Sequence, residues 1–189
     1  MQKLFDIIKS VHSLSRQEEN LIKENFYFEE FAPKQYILRA DDVSRRIGFV
    51  LEGIIMTYFY DCNGNEIIRC FHNKNHFLGL SGYIEQEMSG NYVQTITKSR
   101  ILFLNKSNDE LLNKTLSNWP LITRKISEIS LFEKNKATIE LFHKDAEARY
   151  KSFISTFGQD SNQIPLKYIA SYLGIKQQSL SRIRKNIRW

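Results

Sequence analysis

The chain has 189 residues, enough for one or two domains, and its 42% hydrophobic content can build a core. Thirteen phenylalanines and nine tyrosines exclude a disordered chain, two cysteines exclude a disulfide scaffold, and no apolar run is long enough to span a membrane. The net charge of +6 favours a polyanionic partner, and it is concentrated: residues 145–189 hold eight basic side chains against three acidic ones.

In chain order, residues 1–31 read as helical. Leu4, Ile7, Ile8 and Val11 form one apolar stripe, and Ser15 followed by Glu18 is a capping box leading into Leu21, Ile22 and Phe26. Asp6 stands where a secretory signal needs an apolar run, so the expected compartment is the cytoplasm. Between Tyr36 and Leu104 the texture changes to short β-rich runs: Tyr36–Leu38, Ile47–Leu51, Ile54–Tyr60, Ile67–Phe71, Tyr92–Ile96 and Ile101–Leu104. Asn63-Gly64 between two of these is a hairpin signal, and the spacing predicts a small barrel or sandwich. A helical period returns at Asn108. Trp119-Pro120 starts a long helix over about 119–143, with Ile122, Ile126 and Ile129 spaced four and three. Leu131 to Phe142 carries apolar residues on more than one side, so this helix needs two covering surfaces: the β-domain and the same helix of a second subunit. A further helix bears Tyr150, Phe153, Ile154 and Phe157, and residues 158–162 read as a loop.

The last 26 residues, IPLKYIASYLGIKQQSLSRIRKNIRW, carry the functional signal. Ile169, Ala170 and Leu173 give a short helix its buried face. Gly174 can adopt the positive φ of a tight turn, and Ile175 plugs that turn. A second helix from about Gln177 puts Leu180, Ile183 and Ile187 on one face, with Gln178, Ser181, Arg182 and Lys185 opposite and Gln177 at the edge. A short helix, a glycine turn and a helix with one apolar and one basic-amide face make a helix-turn-helix. Arg can pair with guanine and Gln with adenine, while Ser and Lys reach phosphates. The expected DNA-binding set is Lys176, Gln177, Gln178, Ser179, Ser181, Arg182, Arg184 and Lys185.

That segment resembles the C-terminal helix-turn-helix of the Crp/Fnr family of bacterial transcription regulators. FVLEGIIMTYFYDCNGNEIIRCFHNKNHFLG (residues 49–79) and TITKSRILFLNKSNDELL (residues 95–112) resemble that family's cyclic-nucleotide-binding-like β-roll. The resemblance implies an α+β protein. An antiparallel β-roll of jelly-roll type and a long dimerisation helix would occupy residues 1–143, and an all-α DNA-binding domain residues 144–189. It implies a homodimer on double-stranded DNA, for which Ile122, Ile126 and Ile129 are the candidate seam. It also implies an effector pocket in the roll, for which Gly79, Leu80, Ser81, Asn91, Tyr92 and Thr95 are the candidates. Activation would add RNA polymerase as a partner, and the sequence marks no surface for it.

The chain departs from the pattern of cyclic-AMP-binding members. Leu80 stands in place of the ribose-binding Glu, and Ser89-Gly90-Asn91-Tyr92 offers no arginine for the phosphate. A buried phosphate without a cation is poorly compensated, so any effector is expected to differ from cyclic AMP. Few residues follow Lys185, so the wing of many members is expected to be missing, and no cysteine precedes Cys62 to hold an iron–sulfur cluster of the family's oxygen-sensing type. Cys62, Cys70, His72 and His76 have the residue types of a zinc site but not its spacing, so no metal is expected. No hydrolase, phosphate-loop or metalloprotease motif is present, which argues against an enzyme. The remaining alternative is a degenerate roll acting through a protein partner.

Overall fold

The computed structural model describes residues 1–79, 83, 84 and 86–187. Two helices open the chain, α1 (Gln2–Val11) and α2 (Arg16–Asn25). The expected capping box starts α2: the Glu18 backbone N–H donates to Ser15 Oγ at 3.3 Å, and the Ser15 N–H donates to Glu18 Oε2 at 2.7 Å.

Among the described residues eight strands follow: β1 (Tyr27–Phe31), β2 (Tyr36–Leu38), β3 (Arg46–Glu52), β4 (Ile55–Tyr60), β5 (Glu66–His72), β6 (Phe77–Leu78), β7 (Tyr92–Thr95) and β8 (Ser99–Asn105). They form two four-stranded antiparallel sheets of order β1-β8-β3-β6 and β2-β7-β4-β5, the jelly-roll-like arrangement expected. Two strands correct the sequence reading. Residues 27–31 are not helical but pair along their whole length with Ser99–Phe103 of β8, and β6 is a two-residue strand on the edge of β3. Tyr27 to Phe31 alternates weakly and lies beside a good helix, so only its partner 70 residues away selects the strand. Asn63-Gly64 turns β4 into β5, with Gly64 at φ +77° and the Asp61 carboxylate accepting from the N–H groups of Asn63 and Asn65.

Three cores hold the fold. Phe31, Ile37, Leu38, Val50, Ile55, Leu78, Val93, Ile101 and Phe103 fill the space between the sheets. On the outer face of the first sheet, Phe49, Leu102 and Leu104 meet α1, α2, α3 (Lys106–Thr115) and the start of α4 (Trp119–His143). This explains why β8 reads Ile-Leu-Phe-Leu without alternation: both of its faces are covered. The third core joins the second sheet to the C-terminal helices.

Ile122 lies in the second core and is 1% exposed, with Ile126 packed against the same cluster. These two isoleucines are therefore not an open dimer seam; of the three candidates only Ile129 is exposed. The uncovered face of α4 carries Leu121, Phe132, Ile139 and Phe142 instead, exposed by 39%, 73%, 57% and 82%.

Candidate nucleic-acid interface

After α4 the chain turns at Lys144 into α5 (Ala146–Phe157). Asp145 caps α5 by accepting the Ala148 N–H at 2.8 Å, and Arg149 Nη1 reaches back to the carbonyls of Leu141 and Lys144 at 3.2 and 2.8 Å. A cation on the last carbonyls of α4 suits the helix dipole and fixes the corner between the two helices. Residues 158–162, expected as a loop, lie in a 3-10 turn that extends to Gln163.

The helix-turn-helix consists of α6 (Leu166–Tyr172) and α7 (Gln177–Asn186). The turn between them satisfies two orphan carbonyls of α6: the Gly174 N–H donates to Ser171 O at 3.1 Å and the Ile175 N–H to Ala170 O at 3.0 Å. That pattern needs a left-handed residue at its centre, and Gly174 has φ +66°. Leu180 is fully buried against a cluster that includes Ile169, Ala170 and Leu173, with Ile183 and Ile187 alongside.

Burying that face of α7 turns the other outward. Lys176, Gln177, Gln178, Ser179, Arg182, Arg184 and Lys185 are exposed, and Ser181 is half-buried. The structure thus brings all eight expected residues onto one short helix and its leading turn. Helix α7 contains no acidic residue. Among the described residues, no ion pair engages Lys176, Arg182, Arg184 or Lys185. No side chain caps the start of α7, which leaves first-turn N–H groups directed at solvent.

The helix-turn-helix does not hang free of the roll. Ile54, Met56, Tyr58, Ile68 and Phe71 of the second sheet share one core with Tyr150, Phe153, Phe157, Ile169 and Leu173. Strand β5 is the edge of its sheet, and α6 lies along it. Ser171 Oγ accepts the Ile68 N–H at 3.0 Å and donates to Glu66 O at 3.0 Å. Asn73 Nδ2 donates to Asp160 Oδ2 at 3.0 Å, and Lys167 pairs with Glu66 at 3.6 Å. Sequence reasoning missed these four contacts because their partners lie about 100 residues apart with no local pattern.

The expected effector residues are not gathered in the same way. Leu80 and Ser81 lie outside the described residues, and Gly79 is exposed. Asn91 is buried, with its backbone N–H and C=O both bonded to Ser89 Oγ at 3.0 and 2.9 Å. Tyr92 stacks on Tyr58, with ring centroids 5.2 Å apart. Thr95 is committed to the fold: its hydroxyl donates to Ala32 O at 2.7 Å and accepts the Gln35 N–H at 2.9 Å. None of these four lines the cleft of about 450 Å³ between β5, α4, α5 and α6, where Cys70, His72 and Arg149 are found. Of the zinc candidates, Cys62 is exposed near the hairpin, while Cys70 Sγ lies 3.3 Å from His72 Nε2. Among the described residues no three His, Cys, Asp or Glu side chains are placed to share a metal, and no helix is long and apolar enough to cross a membrane.

Residues 28–113 match the cyclic nucleotide-binding domain family. No curated protein matches the chain. Among solved structures, FixK2 of Bradyrhizobium japonicum superposes with a TM-score of 0.72 at 16% identity, covering 85% of this chain and 83% of its own. CLP of Xanthomonas campestris, described as a c-di-GMP-responsive global regulator, gives 0.69 at 14% identity and 90% coverage of each chain. The catabolite activator protein of Thermus thermophilus gives 0.57 at 16% identity, covering 92% of this chain and 84% of its own. Residues 28–113 are thus similar to a cyclic nucleotide-binding domain, and the chain shares its fold with these three structures.

Proposed function

We propose that this chain, a cyclic nucleotide-binding domain joined to a helix-turn-helix in a Crp/Fnr-type fold, is a sequence-specific, DNA-binding transcription regulator acting as a homodimer. The observation that carries the reading is the outward face of α7, where Gln177, Gln178 and Arg182 stand exposed over the fully buried Leu180. Leu180 fixes the helix on α6, so those side chains are presented by a rigid element. Gln177, Gln178 and Arg182 are assigned to base edges, and Lys176, Ser179, Ser181, Arg184 and Lys185 to phosphates. The uncapped first turn of α7 adds backbone N–H groups suited to one further phosphate.

The dimer reading rests on α4. Leu121, Lys125, Glu128, Phe132, Asn135, Ile139 and Phe142 repeat at four and three along one side, the spacing of a coiled-coil seam. We assign residues 1–143 to the sensor and residues 144–189 to the DNA-binding unit, with the boundary where α4 ends.

Any small effector differs from cyclic AMP, because the sequence has no Lys or Arg between Lys74 and Lys98 to meet a phosphate in the roll. Isothermal calorimetry should detect no micromolar cyclic AMP binding.

The direct test is fluorescence anisotropy of the full chain on DNA from upstream of its own gene against scrambled DNA, at two salt concentrations. The expected result is sequence-preferring binding that weakens steeply with salt. Arg182→Ala should cost about 1–3 kcal/mol and relax preference at one base position. Equal weakening on every sequence would reassign Arg182 to the backbone, and no binding by the wild type would overturn the reading.

A further inference from the structure

The cleft between β5, α4, α5 and α6 holds chemistry that DNA binding does not use. Cys70 and His72 are two residues apart on β5 and point the same way, with Sγ 3.3 Å from Nε2. Thr57 Oγ1, from the paired strand β4, lies 3.2 Å from the same nitrogen. Burial pushes the Cys70 thiol up, but the charge and hydrogen bond of His72, with help from Thr57 and Lys134, outweigh it and bring the pKa to about 7. Cys70 is half-buried and open to the cleft, so a small reagent can reach it.

The same wall is mixed in charge. Lys134, Lys136 and Arg149 line it together with Glu133 and Glu140, and the Arg149 Nε–H is buried without a hydrogen-bond partner among the described residues while Nη1 holds two carbonyls. Of the α4 residues that line the cleft, Ser130, Lys134, Ala137 and Leu141 repeat at four, three and four on the side of the helix away from Phe132, Ile139 and Phe142, with Glu133, Lys136 and Glu140 along one flank. A dimer built on the latter face leaves the cleft open.

We propose that Cys70 is a hydrogen-peroxide-reactive thiol, a modification site set in this cleft, and that its oxidation to the sulfenic acid weakens DNA binding. The thiolate sulfur attacks one peroxide oxygen. An S–O bond forms as the O–O bond breaks, and the leaving hydroxide takes a proton from solvent to become water. Sulfur is oxidised by two electrons and the peroxide is reduced. The next residue, Phe71, points to the other face of β5. Its ring lies 5.9 Å from Phe153, 5.9 Å from Phe157 and 5.4 Å from Tyr172, in the core that seats α6 and α7. An added oxygen at Cys70 enlarges a side chain in the wall of the cleft between this strand and α4, α5 and α6.

The second half of the proposal rests on the regulator reading, so the test keeps the two apart. Full-length Cys62→Ser and Cys70→Ser chains are treated with hydrogen peroxide at pH 7, and sulfenic acid is trapped with a cyclic 1,3-diketone and followed by intact mass. The thiolate fraction at Cys70 should exceed that of an ordinary thiol about fifteenfold, offset about fivefold by lower intrinsic nucleophilicity. Cys70 should therefore react about threefold faster than Cys62, despite being less exposed. His72→Gln, checked for folding by circular dichroism, should slow Cys70 below Cys62. Peroxide should weaken DNA binding about tenfold in chains that keep Cys70 and not in Cys70→Ser.

Faster trapping at Cys62 overturns the proposal, as does an oxidised Cys70 with unchanged DNA affinity. A reduced chain that ignores DNA overturns the regulator reading, and the trapping rates then judge the thiol alone.

Discussion

Replacing Phe132 with Ala tests the dimer assignment near the middle of the exposed face of α4. An aromatic side chain can bury roughly 200 Å². Phe132 keeps 73% of its surface open in the single chain. A partner helix that covered it would thus remove about 150 Å² from water per ring, worth about 3.5 kcal/mol at ~25 cal/mol per Å². Two symmetric rings contribute, and a seam position covers about half of each, so the dimer should lose about 3.5 kcal/mol, or some 300-fold in dissociation constant. Sedimentation equilibrium across a concentration series measures this directly. The folded single chain should hardly notice, because an exposed side chain contributes within about 0.5 kcal/mol to its stability. A wild-type chain that stays monomeric at micromolar concentration, or an unchanged dissociation constant for Phe132→Ala, would refute the seam.

Two further outcomes follow from local geometry. Gly53 has φ +94°, and a Cβ there would sit 2.2 Å from Ser99 Oγ and 2.5 Å from the Lys98 carbonyl, so Gly53→Ala should prevent the roll from folding, read as loss of a cooperative thermal transition. A Gly64→Ala chain, with an open surround at the β4–β5 turn, should fold. The thiolate absorbance of Cys62→Ser should titrate with a midpoint of about 7. Because the folded-state value is depressed, Cys70 adds stability above the ordinary thiol range and loses it as pH falls through that midpoint, so chemical denaturation midpoints should rise from pH 6 toward pH 9 relative to Cys70→Ser.

What could be read from the sequence follows from how far each constraint reaches along the chain. The capping box of α2, the Asn63-Gly64 hairpin and the Gly174 turn are set within three or four residues, and the structure agrees with the reading of each. Strand β1 was misread because its partner is β8, and a five-residue segment carries little signal without it. The α4 stripe misled for a related reason. Ile122, Ile126 and Ile129 have a good apolar spacing, but a stripe of that kind is claimed first by a chain's own core, and the cluster around α1 claims Ile122 and Ile126. The seam could be suspected only from Leu131 to Phe142 being apolar on a second side. The roll gave no residue-level account of an effector site, since Thr95 and Asn91 have polar groups that serve the backbone as readily as a ligand.

Ser171 shows why the two units should be treated as one cooperative body. Strand β5 is an edge strand, and an unpaired edge N–H needs either water or a partner. In this chain the partner is a helix hydroxyl that takes the Ile68 N–H and returns a proton to the Glu66 carbonyl, so one side chain closes two backbone groups of the roll from within the helix-turn-helix. Ser171→Ala removes both bonds in a part-buried position, and leaving such groups unmet costs about 1–3 kcal/mol. If the seam joins the units, that loss lowers one shared unfolding transition, and hydrogen exchange quickens at Ile68 and across α6 together. Two separate transitions, with only α6 affected, would mean that the roll folds without the helix-turn-helix and that the contacts at β5 merely adjoin it.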